Sequence, residues 1–147
     1  MEARMKEYWK RWNPIKLNKD MYKACYAQVI DMDGLEINLV FNDTEDLLNI
    51  KFVNAVLAYQ NIDEGRRLKM LDYLSNNYDN QFYAEWTLFE IENSSYLNWF
   101  HNESFGIHKD EGISHYMLLT ENDVVDILSA YEPDVLIIPS QEETDSE

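Results

Sequence analysis

Acidic side chains dominate the chemistry this sequence can offer. Asp43, Glu45 and Asp46 form one run, Glu121, Asp123 and Asp126 a second, and Glu132 with Asp134 a third, beside Tyr131. Paired carboxylates can serve as general acid and base. With 28 Asp and Glu in 147 residues, however, pairs such as Asp31 with Asp33 or Glu90 with Glu92 arise by chance and carry no catalytic information alone. On loops, clustered carboxylates suit a different task, the capture of a basic partner by complementary charge. The three runs together with Tyr131, an aromatic anchor of the kind that interfaces favour, form the candidate partner-binding set. Clustering is essential to that reading. A folded chain of this mass exposes on the order of 7,900 Å², and 16 net charges spread evenly would leave only one or two within a standard interface.

Other chemistries find less support. His101, His108 and His115 are spaced by seven residues near Glu103, Asp110 and Glu111, and imidazoles with carboxylates can bind zinc. Seven-residue spacing aligns side chains only along one continuous helix, and Gly106 and Gly112 interrupt this stretch, so no metal site is expected. Cys25 sits among Ala24, Tyr26 and Ala27, where a cysteine serves as a small buried hydrophobe. No nucleophile elbow, glycine-rich phosphate loop, dinucleotide fingerprint or His-Glu-x-x-His pair occurs. No cofactor and no enzymatic activity are expected.

The net charge of −16 is unevenly distributed. Residues 1–23 carry seven basic and three acidic side chains, and the remainder carries 25 acids against five bases, so a +4 segment precedes a −20 body. A body of that sign repels nucleic acid and anionic membranes and favours a basic protein. The single cysteine gives no disulfide framework, and neither a signal-peptide pattern nor an apolar run of membrane-spanning length is visible. A cytoplasmic location is the expectation.

The elements that would position these residues read as α+β, a mainly antiparallel sheet of about six or seven strands with two or three short helices. Residues 1–139 form one expected domain and 140–147 an acidic, disordered tail. Met5, Tyr8, Trp9 and Trp12, ahead of Pro14, fit a short amphipathic helix that docks on the acidic body and hides its tryptophans. Tyr22 to Met32 and Leu35 to Phe41 flank Asp33-Gly34, a hairpin turn signature. A third strand fits Leu48 to Tyr59, with a bulge near Phe52 where the apolar phase switches to Val53, Ala55 and Leu57. Next come a helix from Asp63 to Ser75, capped by Asp63 with Leu68, Leu71 and Leu74 inward, and a strand from Phe82 to Ile91. Ser94 or Ser95 caps a second helix through Phe100. His115 to Thr120, Val124 to Ser129 and Val135 to Ile138 complete the strands. Trp86, Phe89, Trp99 and Phe100 are expected in the core, and Tyr78, Tyr83 and Tyr131 near its rim.

The stretch Ser95-Tyr96-Leu97-Asn98-Trp99-Phe100, then Glu103 to Ile107, His115-Tyr116, and Thr120 to Ser129 continuing to Pro133, resembles small uncharacterised proteins of Bacillus-type bacteria. Some small acidic proteins of that kind act as immunity partners of polymorphic toxins. The resemblance covers the C-terminal third, carries no catalytic motif and transfers no residue role. It implies an intracellular protein that neutralises a basic toxin such as a nuclease. Two other readings are a structural or regulatory module that self-associates through a sheet edge, its charge serving solubility, and a small metal-dependent enzyme using the histidines.

Overall fold

A computed structural model describes residues 6–53 and 56–140. In chain order the strands are β1 (Tyr8–Arg11), β2 (Tyr26–Met32), β3 (Gly34–Val40), β4 (Leu47–Phe52), β5 (Val56–Asp63), β6 (Leu88–Glu92), β7 (Ser114–Leu119), β8 (Asp123–Ser129) and β9 (Asp134–Ile138). Between β5 and β6 lie the helices α1 (Leu68–Asn77) and α2 (Asn80–Ala84), and α3 (Ser95–Glu103) follows β6. The class is α+β, with two antiparallel sheets ordered β1-β6-β7-β8-β5 and β2-β3-β4-β9. Met5 and the tail residues 141–147 lie outside the described residues.

Period-two patterning explains the four-stranded sheet. Leu35, Ile37 and Leu39 of β3 alternate with half-buried Glu36 and Asn38, and pair with Phe52, Ile50 and Leu48 of β4. These apolar sides meet the five-stranded sheet, where Phe52 packs edge-on against Tyr116 with ring centroids 5.7 Å apart. The hairpin turn lies where Asp33-Gly34 predicts it. Met32 pairs directly with Gly34, whose φ of 102° needs glycine, and a Cβ there would meet the Phe52 carbonyl oxygen at 2.8 Å.

The five-stranded sheet is covered on both faces. Consecutive residues Val124 to Ser129 of β8 are all buried, as are His115 to Leu119 of β7. One face meets the four-stranded sheet. On the other lie residues such as Trp9, Phe89, Met117 and Asp126, over which the helices close.

That double cover corrects the expected N-terminal helix. Tyr8–Arg11 is an edge strand paired with β6, Trp9 opposite Ile91. A spacing of three places side chains on one side of a helix but on opposite faces of a strand. Trp9 packs with Phe89 on the helix side, whereas Trp12, just past the strand, packs with Tyr116 on the other, so both tryptophans are hidden.

Three other segments differ from expectation. The phase switch after Phe52 is a crossing between sheets: β4 ends there and β5 starts at Val56 in the other sheet, while Ala55 lies outside the described residues. Asp63 caps only a 3₁₀ turn, accepting from the Gly65 amide at 2.8 Å, so α1 starts later and Leu68 is left exposed. Phe82 belongs to α2 and stacks on Tyr78, and the strand starts only at Leu88. Ser94 caps α3 as expected, accepting from the Leu97 amide at 3.0 Å. Trp99 of that helix is exposed rather than in the core and Phe100 is only half-buried: α3 lies at the surface with no fully buried residue, and Trp99 stacks on Tyr96 there.

Candidate functional site

Two of the three acidic runs converge at one end of the molecule. The β3–β4 loop carries exposed Asp43 and Glu45, and the β7–β8 turn carries exposed Glu121. These loops belong to different sheets, yet Asn42 Nδ2 donates to Glu121 Oε1 at 3.1 Å and ties them together. A third acidic connection joins them, because the Glu64 amide donates to the Asn122 carbonyl at 3.0 Å and Asp63 pairs directly with Asp123. Carboxylates facing each other across a strand pair repel. Here each is turned to local work: Asp63 caps its 3₁₀ turn, and Asp123 accepts from the Thr120 hydroxyl and, at 3.4 Å, from the Ala27 amide. Asp46 is half-buried and accepts from the Ser140 amide at 2.9 Å, closing the same end against the residues after β9. The surface carboxylates left for a partner are Asp43, Glu45, Glu121 and, less exposed, Glu64.

Lys23 supports this end from below. Its ammonium donates to the carbonyls of Tyr83, Trp86 and Leu119 at 2.9, 3.2 and 2.8 Å. Burial pulls its pKa down to about 8, against the opposing pull of Glu121 and Glu64. The cation anchors the segment whose Ala24 carbonyl accepts from the Glu121 amide. Lys23→Met is expected to leave those carbonyls unsatisfied and to destabilise the fold by about 2 kcal/mol, measurable as a lower urea midpoint with unchanged slope.

The third run lies elsewhere. Tyr131, Glu132 and Asp134 are exposed but follow β8, whereas Glu121 and Asp123 precede or begin it. Seven strand residues separate the two ends by about 20 Å. One compact interface around Glu121 does not include them.

Asp126 is a correction: its carboxylate is fully buried and belongs to no surface. Asp126 Oδ2 accepts from Arg67 at 2.7 Å and from Gln60 at 3.0 Å, and Oδ1 lies 2.7 Å from His115 Nε2. His115 Nδ1 lies 2.6 Å from Ser94 Oγ. Burial opposes ionisation of Asp126, but the hydrogen bond from His115 and then the Arg67 guanidinium outweigh it and hold the carboxyl below the usual carboxylate range. A neutral imidazole carrying its proton on Nε2 satisfies every member: it donates to Asp126 and accepts from the Ser94 hydroxyl, which accepts from the Leu97 amide. Serine, histidine and aspartate in a line have the composition of an acyl-transfer triad. This line instead fastens α3 and the segment before α1 to the sheet, and Ser94, at 2% exposure, offers no nucleophile to a substrate.

The three histidines have separate roles. His115 is in that network, His108 pairs with Glu111 at 2.5 Å, and His101 packs beside Phe100. Among the described residues no group of three or more His, Cys, Asp or Glu is arranged to hold a metal ion. Of the proposed rim tyrosines, Tyr78 is structural, its hydroxyl accepting from the Trp9 amide at 2.8 Å, and only Tyr131 is freely exposed. No helix among the described residues is long and apolar enough to cross a membrane.

Sequence patterning missed Asp63 and Glu64 as neighbours of Glu121. The β5–β8 pairing that brings them together joins segments about sixty residues apart, and neither segment's composition encodes its partner. Comparison with protein-family models, with curated proteins and with solved structures finds no match to this chain.

Proposed function

We propose that this protein is a non-catalytic binding protein that captures a basic protein partner at its Asp43–Glu45–Glu121 end. The observation that carries the reading is the Asn42–Glu121 hydrogen bond, which joins acidic loops of two sheets into one surface. Clustered carboxylates at that end, on a chain of net charge −16, accelerate encounter with a cationic surface and mimic the phosphates a nuclease would hold. A basic toxin domain of nuclease type, neutralised inside the producing cell, is the partner this charge suits best.

The test is co-expression with the basic toxin domain encoded beside its gene, scored by growth. The protein should rescue growth. The triple variant Asp43→Lys, Glu45→Lys, Glu121→Lys should bind the toxin at least about tenfold more slowly at low salt, whereas Glu132→Lys with Asp134→Lys should change the rate far less. Killing undiminished by the native protein rejects the toxin pairing, and equal loss from both variants rejects the assignment to this end.

A further inference from the structure

Three of the four tryptophans, Trp9, Trp12 and Trp86, are enclosed, whereas Trp99 on α3 is 52% exposed. Tyr96 stacks against it with ring centroids 5.8 Å apart and planes 7° apart. Lining the same open cleft as this pair, of about 540 Å³, are Tyr59 of β5 and Asp31 of β2, with Val53 and Val56 contributing to the wall. The Tyr59 hydroxyl donates to Asp31 Oδ2 at 2.9 Å, which fixes the carboxylate at the cleft. No ion pair joins Asp31 to a basic side chain among the described residues.

We propose that this cleft is a receptor for a guanidinium side chain, the arginine of a basic protein. Aromatic faces present negative potential to a cation, and parallel ring planes suit a flat one. A carboxylate held by one oxygen keeps its other oxygen for an N–H donor, and a guanidinium supplies several donors in a plane. Anionic ligands are disfavoured by Asp31 and by the net charge of −16. An aliphatic side chain would offer the carboxylate no hydrogen-bond donor. The site deepens the capture reading by naming a side chain the partner would insert, and rests on that reading only for the partner being a protein. It lies near the β2–β3 hairpin, at the opposite end from Glu121, so it can be tested separately.

Trp99 makes the measurement direct, since it is the one exposed tryptophan. N-acetyl-arginine amide, titrated at low ionic strength, should change the Trp99 fluorescence saturably with a Kd on the order of 1–10 mM. N-acetyl-citrulline amide, its neutral counterpart, should bind at least about fivefold more weakly. Asp31→Asn, at an exposed position that leaves the core intact, should weaken arginine amide by about fivefold. The triple variant at the acidic end should bind it within about twofold of the native protein. Equal binding of the arginine and citrulline probes, absence of saturation, or an Asp31→Asn variant with native affinity would each overturn the proposal. A protein that binds arginine amide but gives no growth protection upholds the cleft while rejecting toxin capture.

Discussion

Replacing Asp126 by asparagine is expected to destabilise the fold by about 3 kcal/mol at neutral pH, a large share of the stability of a domain this size. The substitution preserves shape but removes the charge that balances Arg67 and puts an amide donor among the donors of Arg67, Gln60 and His115. Urea denaturation of the native and variant proteins measures the loss. A difference below about 1 kcal/mol would mean that the buried line contributes little beyond packing. The pH dependence has a defined sign. Because the folded carboxyl titrates below its ordinary value, the unfolded chain binds more protons at acidic pH. The stabilisation is complete above the unfolded value of about 4 and is lost as pH falls through the folded one. The gap between native protein and variant should therefore be constant near neutrality and shrink below about pH 4.

Trp9→Ala is expected to cost about 3–5 kcal/mol, the other large effect. Trp9 is 2% exposed, packs on Phe89 with centroids 5.5 Å apart, and its amide donates to the Tyr78 hydroxyl. Its neighbour Tyr8 is more than half exposed on the same edge strand, so Tyr8→Ala should change stability by less than about 1 kcal/mol. Thermal unfolding of both variants checks the contrast. Comparable losses would contradict the alternation that places Trp9 inward and Tyr8 outward.

How much of this was legible in the sequence depends on how each segment is covered. The β2–β3 hairpin was legible, because local turn chemistry and a one-sided alternation agree. The continuous apolar runs of β7 and β8, the alternation of β9 and the serine cap of α3 could also be read from neighbouring residues. Trp9 and Trp12 were misread because β1 is only four residues long and Trp12 lies just past its end, so that a spacing of three between two buried tryptophans imitates a helix. The run after Leu48 was read as one strand because a change of sheet and a bulge both reverse the apolar phase.

The acidic residues divide on the same principle. Asp43, Glu45 and Glu121 lie in connections whose exposure follows from local sequence, and they remain at the surface. Asp126 was grouped with them by proximity to Asp123, but it stands three positions on in a strand with no exposed face. Its partners Arg67 and Gln60, and Ser94 beyond His115, are distant in the chain, and no local pattern identifies them. The Tyr59–Trp99 cleft was illegible for the same reason, since its walls come from β2, β5 and α3.

The position of β9 beside β4 bears on how the chain matures. The β2–β3–β4 meander can form from contiguous sequence as it leaves the ribosome, but the outer edge of β4 has no partner until Asp134–Ile138 has been synthesised. Four of the five strands of the other sheet, β5 to β8, and all three helices are made in the interval. Closing the smaller sheet is therefore a late, long-range step, of the kind whose loop closure slows folding. Until it occurs, an open strand edge flanked by Leu48, Ile50 and Phe52 is the place where nascent copies can pair with one another.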